Sequence, residues 1–80
     1  MLSQLATAAK VVGIKQSKKV IRDGQAHRVF VAKDAEQRVI GPIYDLCQER
    51  GVEIVEVPTM KELGSAAGIA VGAAVVTMTQ

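Results

Sequence analysis

The placement of glycine and proline decides most of what this chain can fold into. Gly13, Gly24, Gly51 and Gly68, with Pro58 among them, interrupt the 80-residue sequence so often that no regular element can run long. Between the breaks the apolar pattern switches from helical to strand spacing and back. Leu2, Leu5, Ala6, Ala9 and Val12 recur at helical spacing and predict a first short helix ending near Gly13, with residues 11–14 able to add a brief strand. Lys15–Asp23 reads as a second helix, with Gly24 just past its end, where a left-handed residue commonly closes a helix. On that helix Lys15, Lys19 and Arg22 fall at i, i+4 and i+7 on one face, while Val20 and Ile21 turn inward.

The remaining segments read in the same way. Arg28–Ala32, RVFVA, is β-branched and aromatic and predicts a strand buried on both faces. Gln37–Arg50 carries Ile40, Ile43, Leu46 and Cys47 at helical spacing and stops at Gly51. Proline costs about 3 kcal/mol inside a helix but is tolerated in the first turn, so Pro42 leaves two readings. Either regular helix starts near Gly41, or an initial turn is kinked there. Val52–Val57, VEIVEV, opens with alternating apolar and acidic residues and predicts a strand, which Pro58 and Thr59 end. Met60–Ala67 then reads as a short helix and Val71–Met78 as the last strand. Helices alternating with strands predict an α/β fold, a three-layer α/β/α sandwich with a mixed sheet of about four strands.

The tail offers a competing reading. From Leu63 to Gln80 there is no charge, and Gly64, Gly68 and Gly72 stand four apart, the spacing at which membrane helices pack closely. Spanning a bilayer takes about 20 apolar residues, however, and Ser65 and the glycines break this run. The tail is therefore assigned to the sandwich, with Gly68 beyond the short helix and Gly72 letting the next strand pack closely. No membrane partner is expected.

At 49% hydrophobic and 22% charged the composition is that of a globular chain, and its length suits one domain, residues 1–80. The lone cysteine, Cys47, permits no internal disulfide, and no Cys/His spacing suits a metal, so no cofactor is expected and the cytoplasm is the expected location. The N-terminus lacks the charged start and sustained apolar run of a signal peptide. Catalysis finds few residues. His27 has no Ser or Cys partner in view, Cys47 lies on an apolar stripe, and neither a dinucleotide fingerprint nor a phosphate loop occurs. The chain is expected not to be an enzyme.

Charge is distributed unevenly. Lys10–Arg38 holds eight of the ten basic residues against three acidic ones, +5, which leaves −3 for the rest. Such asymmetry suits an anionic partner, although a solvated helix face would look the same by charge alone. The aromatics are only Phe30, in a buried strand, and Tyr44, on a helix, so stacking platforms for single strands are not expected. A basic helix opening on a glycine can instead direct N–H groups and ammonium groups at phosphates and groove edges, which suits a folded RNA of defined shape.

The residues Gly13-Ile14-Lys15-Gln16-Ser17-Lys18-Lys19 resemble the signature of the ribosomal protein L-seven-Ae / L-thirty-e family, which in archaea and eukaryotes reads Gly-x-Asn-Glu-x-x-Lys. The resemblance continues in Val31-Ala32-Lys33-Asp34 and in Val57-Pro58 followed by Leu63-Gly64-Ser65-Ala66-Ala67-Gly68-Ile69. It is strongest to the small bacterial members, of the YbxF type, whose signature reads Gly-x-Lys-Gln. The family fold is an α/β/α sandwich, and its members bind kink-turns, sharply bent RNA elements with tandem sheared G·A pairs.

This resemblance implies roles for particular residues. Gly13 would bring the helix start into the widened groove, with Lys15 and Gln16 facing guanine edges and Lys19 a phosphate or base edge. The loop of Pro58, Thr59, Met60 and Lys61 matches the one that covers an extruded nucleotide, and Lys33 lies near the same end. Lys18 and Arg22 are left open between RNA contact and a solvated face. Lys15-Gln16 stands where archaeal members carry Asn-Glu. Glutamate accepts from guanine N1 and N2, lysine only donates, and glutamine does either, so base contacts are not carried over one by one. The implied protein is a monomeric, non-enzymatic binder of kink-turn RNA, associated with the ribosome or another structured RNA. The alternative is a ribosome-associated protein-interaction module whose basic patch docks nonspecifically.

Overall fold

The computed structural model describes residues 9–79. In chain order its elements are β1 (Lys10–Val12), α1 (Ile14–Arg22), β2 (Arg28–Ala32), α2 (Gln37–Arg50), β3 (Ile54–Val57), α3 (Met60–Ala66) and β4 (Val75–Met78). The fold is α/β, as the alternation of patterns predicts. Most of the first helix expected from Leu2 lies outside the described residues. Its expected last position, Val12, is a strand residue, paired with Val76 of β4.

The sheet runs β1-β4-β2-β3, with β4 antiparallel to both its neighbours and β2 parallel to β3. Registers place Val12, Val76, Phe30 and Val55 in one row across all four strands. That row faces Leu63 and Ala67 of the α3 region, with Ala32, Val57 and Met78 beside it. Val29, Val31 and Val75 point through the other face into Ile21 of α1 and Ile40, Ile43 and Cys47 of α2. β2 thus buries both its faces, as its unbroken apolar sequence demands, and lies between two helical layers. One polar side chain shares each side of the α1–sheet boundary: Ser17 and Thr77 are fully buried.

Helix ends follow local chemistry. α2 closes on Gly51, whose φ of +68° is left-handed and whose N–H reaches the Cys47 carbonyl. Pro42 sits inside α2, and the helix runs from Gln37 without interruption, so regular helix does not wait for Gly41. Gly41 supplies the reason: it lacks the Cβ that would crowd the ring of a following proline in a helical turn. Two strand predictions are too long. Val52 belongs to the end of α2, its N–H donating to the Cys47 carbonyl at 2.9 Å, and β3 begins only at Ile54. β4 begins at Val75 rather than Val71, because residues 71 and 72 are packed against α3 instead. Gly72 therefore serves a loop and not a strand, a correction to its expected place.

Candidate nucleic-acid interface

The sheet topology determines what can meet. Because β4 alone runs antiparallel, the C-terminal ends of β1, β2 and β3 lie at one end of the sheet together with the start of β4. Every loop leaving those ends leads into a helix, so α1, α2 and α3 all begin here. The partial positive charge of the first turns of α1 and α2 faces the same way. From β1 to β3 spans three interstrand spacings, about 14 Å.

Gly13 makes the sharpest of these turns. Its N–H donates to the Val75 carbonyl at 2.9 Å, while its own carbonyl accepts from Ser17 N–H at 3.1 Å. One residue is thus the last rung of the sheet and the first of the helix. Doing both requires φ +104° and ψ 163°, a conformation essentially confined to glycine. A Cβ here would touch nothing within 4 Å, so the demand is conformational and not steric. With Ser17 and Ile21 fixed inward, Lys15, Gln16 and Lys19 are exposed. Lys19 stands one turn beyond Lys15, about 6 Å along the axis. Arg22 is exposed on the same stripe, whereas Lys18 is half-buried to its side.

The other expected residues arrive at this end from separate parts of the chain. Lys33 leaves β2 with its N–H donating to the Val57 carbonyl at 2.8 Å, and its side chain is exposed. Thr59 caps α3, its Oγ1 accepting from Glu62 N–H at 3.1 Å, so this side chain has a structural task. Met60 and Lys61 open α3 and are exposed. The ion pairs Arg28–Glu53 and Arg38–Glu36 use none of Lys15, Lys19, Lys33 and Lys61. The end therefore offers ammonium groups and helix-start N–H groups over a broad front, suited to an extended anion.

Chemistry beyond binding is poorly supplied. Cys47 is buried in α2, and burial pushes its thiol from the usual 9 up to about 11, an unreactive state at neutral pH. His27 stands at the opposite end of the sheet, beside a shallow hollow lined by Gly24, Gln25, Ala26 and Thr79. No group of three or more His, Cys, Asp or Glu is placed to hold a metal among the described residues. No described helix is long and apolar enough to cross a membrane.

The profile of the ribosomal protein L7Ae/L30e/S12e/Gadd45 family matches residues 2–80. The chain belongs to this family. Relatives agree with that assignment. An RNA-binding protein of Caldanaerobacter subterraneus is 48% identical over 65 residues, 81% of this chain and 79% of that protein. The RNA-binding protein YbxF of Geobacillus stearothermophilus is 38% identical over 68 residues, 85% of this chain and 83% of that protein. A Giardia lamblia 15.5kD RNA binding protein shares the fold, with a TM-score of 0.92 at 23% identity over 99% of this chain and 70% of its own.

In this L7Ae-family chain the loops around the site are tied to each other by contacts that the sequence does not reveal. Met60 is the knot. Its N–H donates to Asp34 Oδ1 at 2.8 Å and its carbonyl accepts from Ala73 N–H at 3.0 Å. A Cβ on Gly64 would lie 2.1 Å from the Val71 carbonyl oxygen, so only glycine lets the 71–72 segment lie on α3. That segment presents Val71, 70% exposed, on the loop that joins Met60, itself 37% exposed. These are the two exposed large apolar side chains among the described residues. A sequence signal for Val71 existed in the Gly64–Gly72 spacing, but it reads equally as strand packing.

Proposed function

We propose that this protein binds structured RNA at the end of the sheet where α1, Lys33 and the 58–61 loop converge, and that its target is a kink-turn. One observation carries the reading. Exposed residues of α1, Lys33 and the 58–61 loop, distant in sequence, come to one end of the sheet, and the lysines there have no acidic partner among the ion pairs described. Lys15 and Lys19 donate to phosphates or to the O6 and N7 acceptors of guanine, and Gln16 donates or accepts beside them. Met60 and Val71 offer apolar surface to a base displaced from its stack. A bent duplex can present a phosphate backbone, an open groove and an unstacked base within such a front; a straight duplex offers mainly backbone.

Binding of this kind selects the kinked conformer from an RNA equilibrium, so the protein acts as a clamp on RNA folding without performing chemistry. The proposed targets are ribosomal or other structured RNAs with such bends, which sequencing of copurified RNA would name. Titration against a kink-turn and against a plain duplex of equal length tests the specificity. A strong preference for the kink-turn is expected; a ratio near one would favour nonspecific docking of the basic surface. Replacing Lys15 and Lys19 together by alanine is expected to lower kink-turn affinity at least tenfold, the scale of two charge-assisted contacts, with an unchanged melting curve. Equal binding by parent and double variant would overturn the assignment of these lysines.

A further inference from the structure

Asp34 is out of place by charge. It stands exposed one residue after Lys33, at the end where the lysines gather, and a carboxylate there repels the phosphates those lysines attract. Its geometry supplies a reason for it. Asp34 Oδ1 accepts the N–H of Met60, 26 residues away, at 2.8 Å. The Met60 carbonyl in turn accepts from Ala73 N–H at 3.0 Å. Gly72 packs on Met60 so closely that a Cβ at position 72 would come within 3.2 Å of the Met60 Cβ. One carboxylate oxygen therefore connects the turn after β2, the start of α3 and the 69–74 loop.

We propose that Asp34 is a positioning residue for RNA binding: it assembles the Met60 and Val71 loops before the RNA arrives, and this assembly outweighs the repulsion of its charge. The proposal rests on the RNA-binding reading of this surface. Loops that are already held in the bound arrangement lose less conformational freedom on association, so pre-assembly appears directly as affinity. Lys33 occupies the neighbouring position in the same turn, so the bond also fixes where that ammonium group is presented.

Two substitutions separate charge from hydrogen bond. Asp34→Asn removes the negative charge and keeps a carbonyl oxygen that can accept from Met60 N–H. Asp34→Ala removes both. Affinity for a kink-turn RNA at low salt, with melting curves alongside, is expected to rise roughly two- to threefold for Asp34→Asn, the scale of one relieved surface charge repulsion. It is expected to fall roughly tenfold for Asp34→Ala, the scale of a lost charge-assisted hydrogen bond. Opposite signs are the signature, since charge alone would raise both variants. A change in the same direction for both, or no change for Asp34→Ala, would overturn the proposal. Hydrogen exchange provides the second readout: the Met60 and Ala73 amides are expected to exchange faster in Asp34→Ala and at parental rates in Asp34→Asn. Should the parent show no preference for a kink-turn over a duplex, the functional reading fails by itself. The exchange rates then still decide whether Asp34 holds these loops, and parental rates in Asp34→Ala would refute it.

Discussion

Glycines that look alike in the sequence differ in kind. Gly13 and Gly24 bracket the same basic stretch, and both have positive φ, +104° and +73°. Gly24 follows a helix end and its φ is one that other residues adopt at a cost of roughly 1–2 kcal/mol. Gly13 combines its φ with a ψ of 163°, a region essentially closed to side chains, while serving both the sheet and α1. Gly13→Ala is therefore expected to destabilise the fold by about 2–3 kcal/mol and Gly24→Ala by about 1 kcal/mol. Urea midpoints of the two variants check the order; an equal loss would show that the helix start relaxes. Gly13→Ala is further expected to weaken RNA binding, because the position sets where Lys15 and Gln16 emerge. The polar residues at the site split in the same way. Lys15 and Lys19 are legible because helical spacing puts them on one outward face, and Gln16 only because the Gly13–Lys19 stretch resembles the family signature. Asp34 is not, since its partner lies 26 positions away and only the sheet brings the two together.

At the scale of elements, helices were more legible than strands, and the reason is physical. α1, α2 and α3 each fall within a residue or so of their predicted spans, because glycine stops and apolar periods act locally. Strand ends depend on a partner far along the chain, as Val12 depends on Val76. At β1 the sequence supports both a helix end, because Val12 continues an apolar period, and a brief strand over residues 11–14; the pairing of Val12 with Val76, a long-range fact, decides for the strand. Residues 71–73 have strand-like composition but lie against α3, and only from Ala74 onward does the chain bond to β2. α2 carries a consequence of its burial. Cys47 is pushed up to about 11 by desolvation. Tyr44 is pushed from 10 to about 12 by desolvation and then by its hydrogen bond to Glu56, at 2.7 Å, and the Glu56 charge. Both shifts are upward, so folding favours the neutral forms. The stabilisation is complete below the unfolded values and is lost as pH rises through the folded ones, from about 9 to 11 for Cys47 and about 10 to 12 for Tyr44. Melting temperature is therefore expected to fall across this alkaline range. Cys47→Ala should flatten the lower part of the fall and Tyr44→Phe the upper part. A parental curve in both variants would assign alkaline loss to other groups.

For the whole molecule, polarity of placement matters more than net charge, which is only +2. The sheet order gathers the starts of its helices at one end and leaves the C-termini of α1 and α2 at the other, so cations on the same helix can differ in what they face. Lys33 and Lys61 stand at the convergent end, whereas Arg50 is the last residue of α2 and exposed at the far end. Each phosphate neutralised lowers log K by roughly 0.7–0.9 per tenfold rise in salt, and four lysine contacts would give a slope of roughly −3. Lys33→Gln and Lys61→Gln are each expected to reduce that slope by roughly one contact's share, 0.7–0.9. Arg50→Gln removes the same charge from the protein and is expected to leave the slope unchanged. Binding of one kink-turn RNA measured across a salt series decides the matter. If all three variants shift the slope equally, RNA responds to the overall charge and the convergent end has no special standing. If only the two lysine variants do, the topology that brings β1, β2 and β3 to one end is what aims the charge.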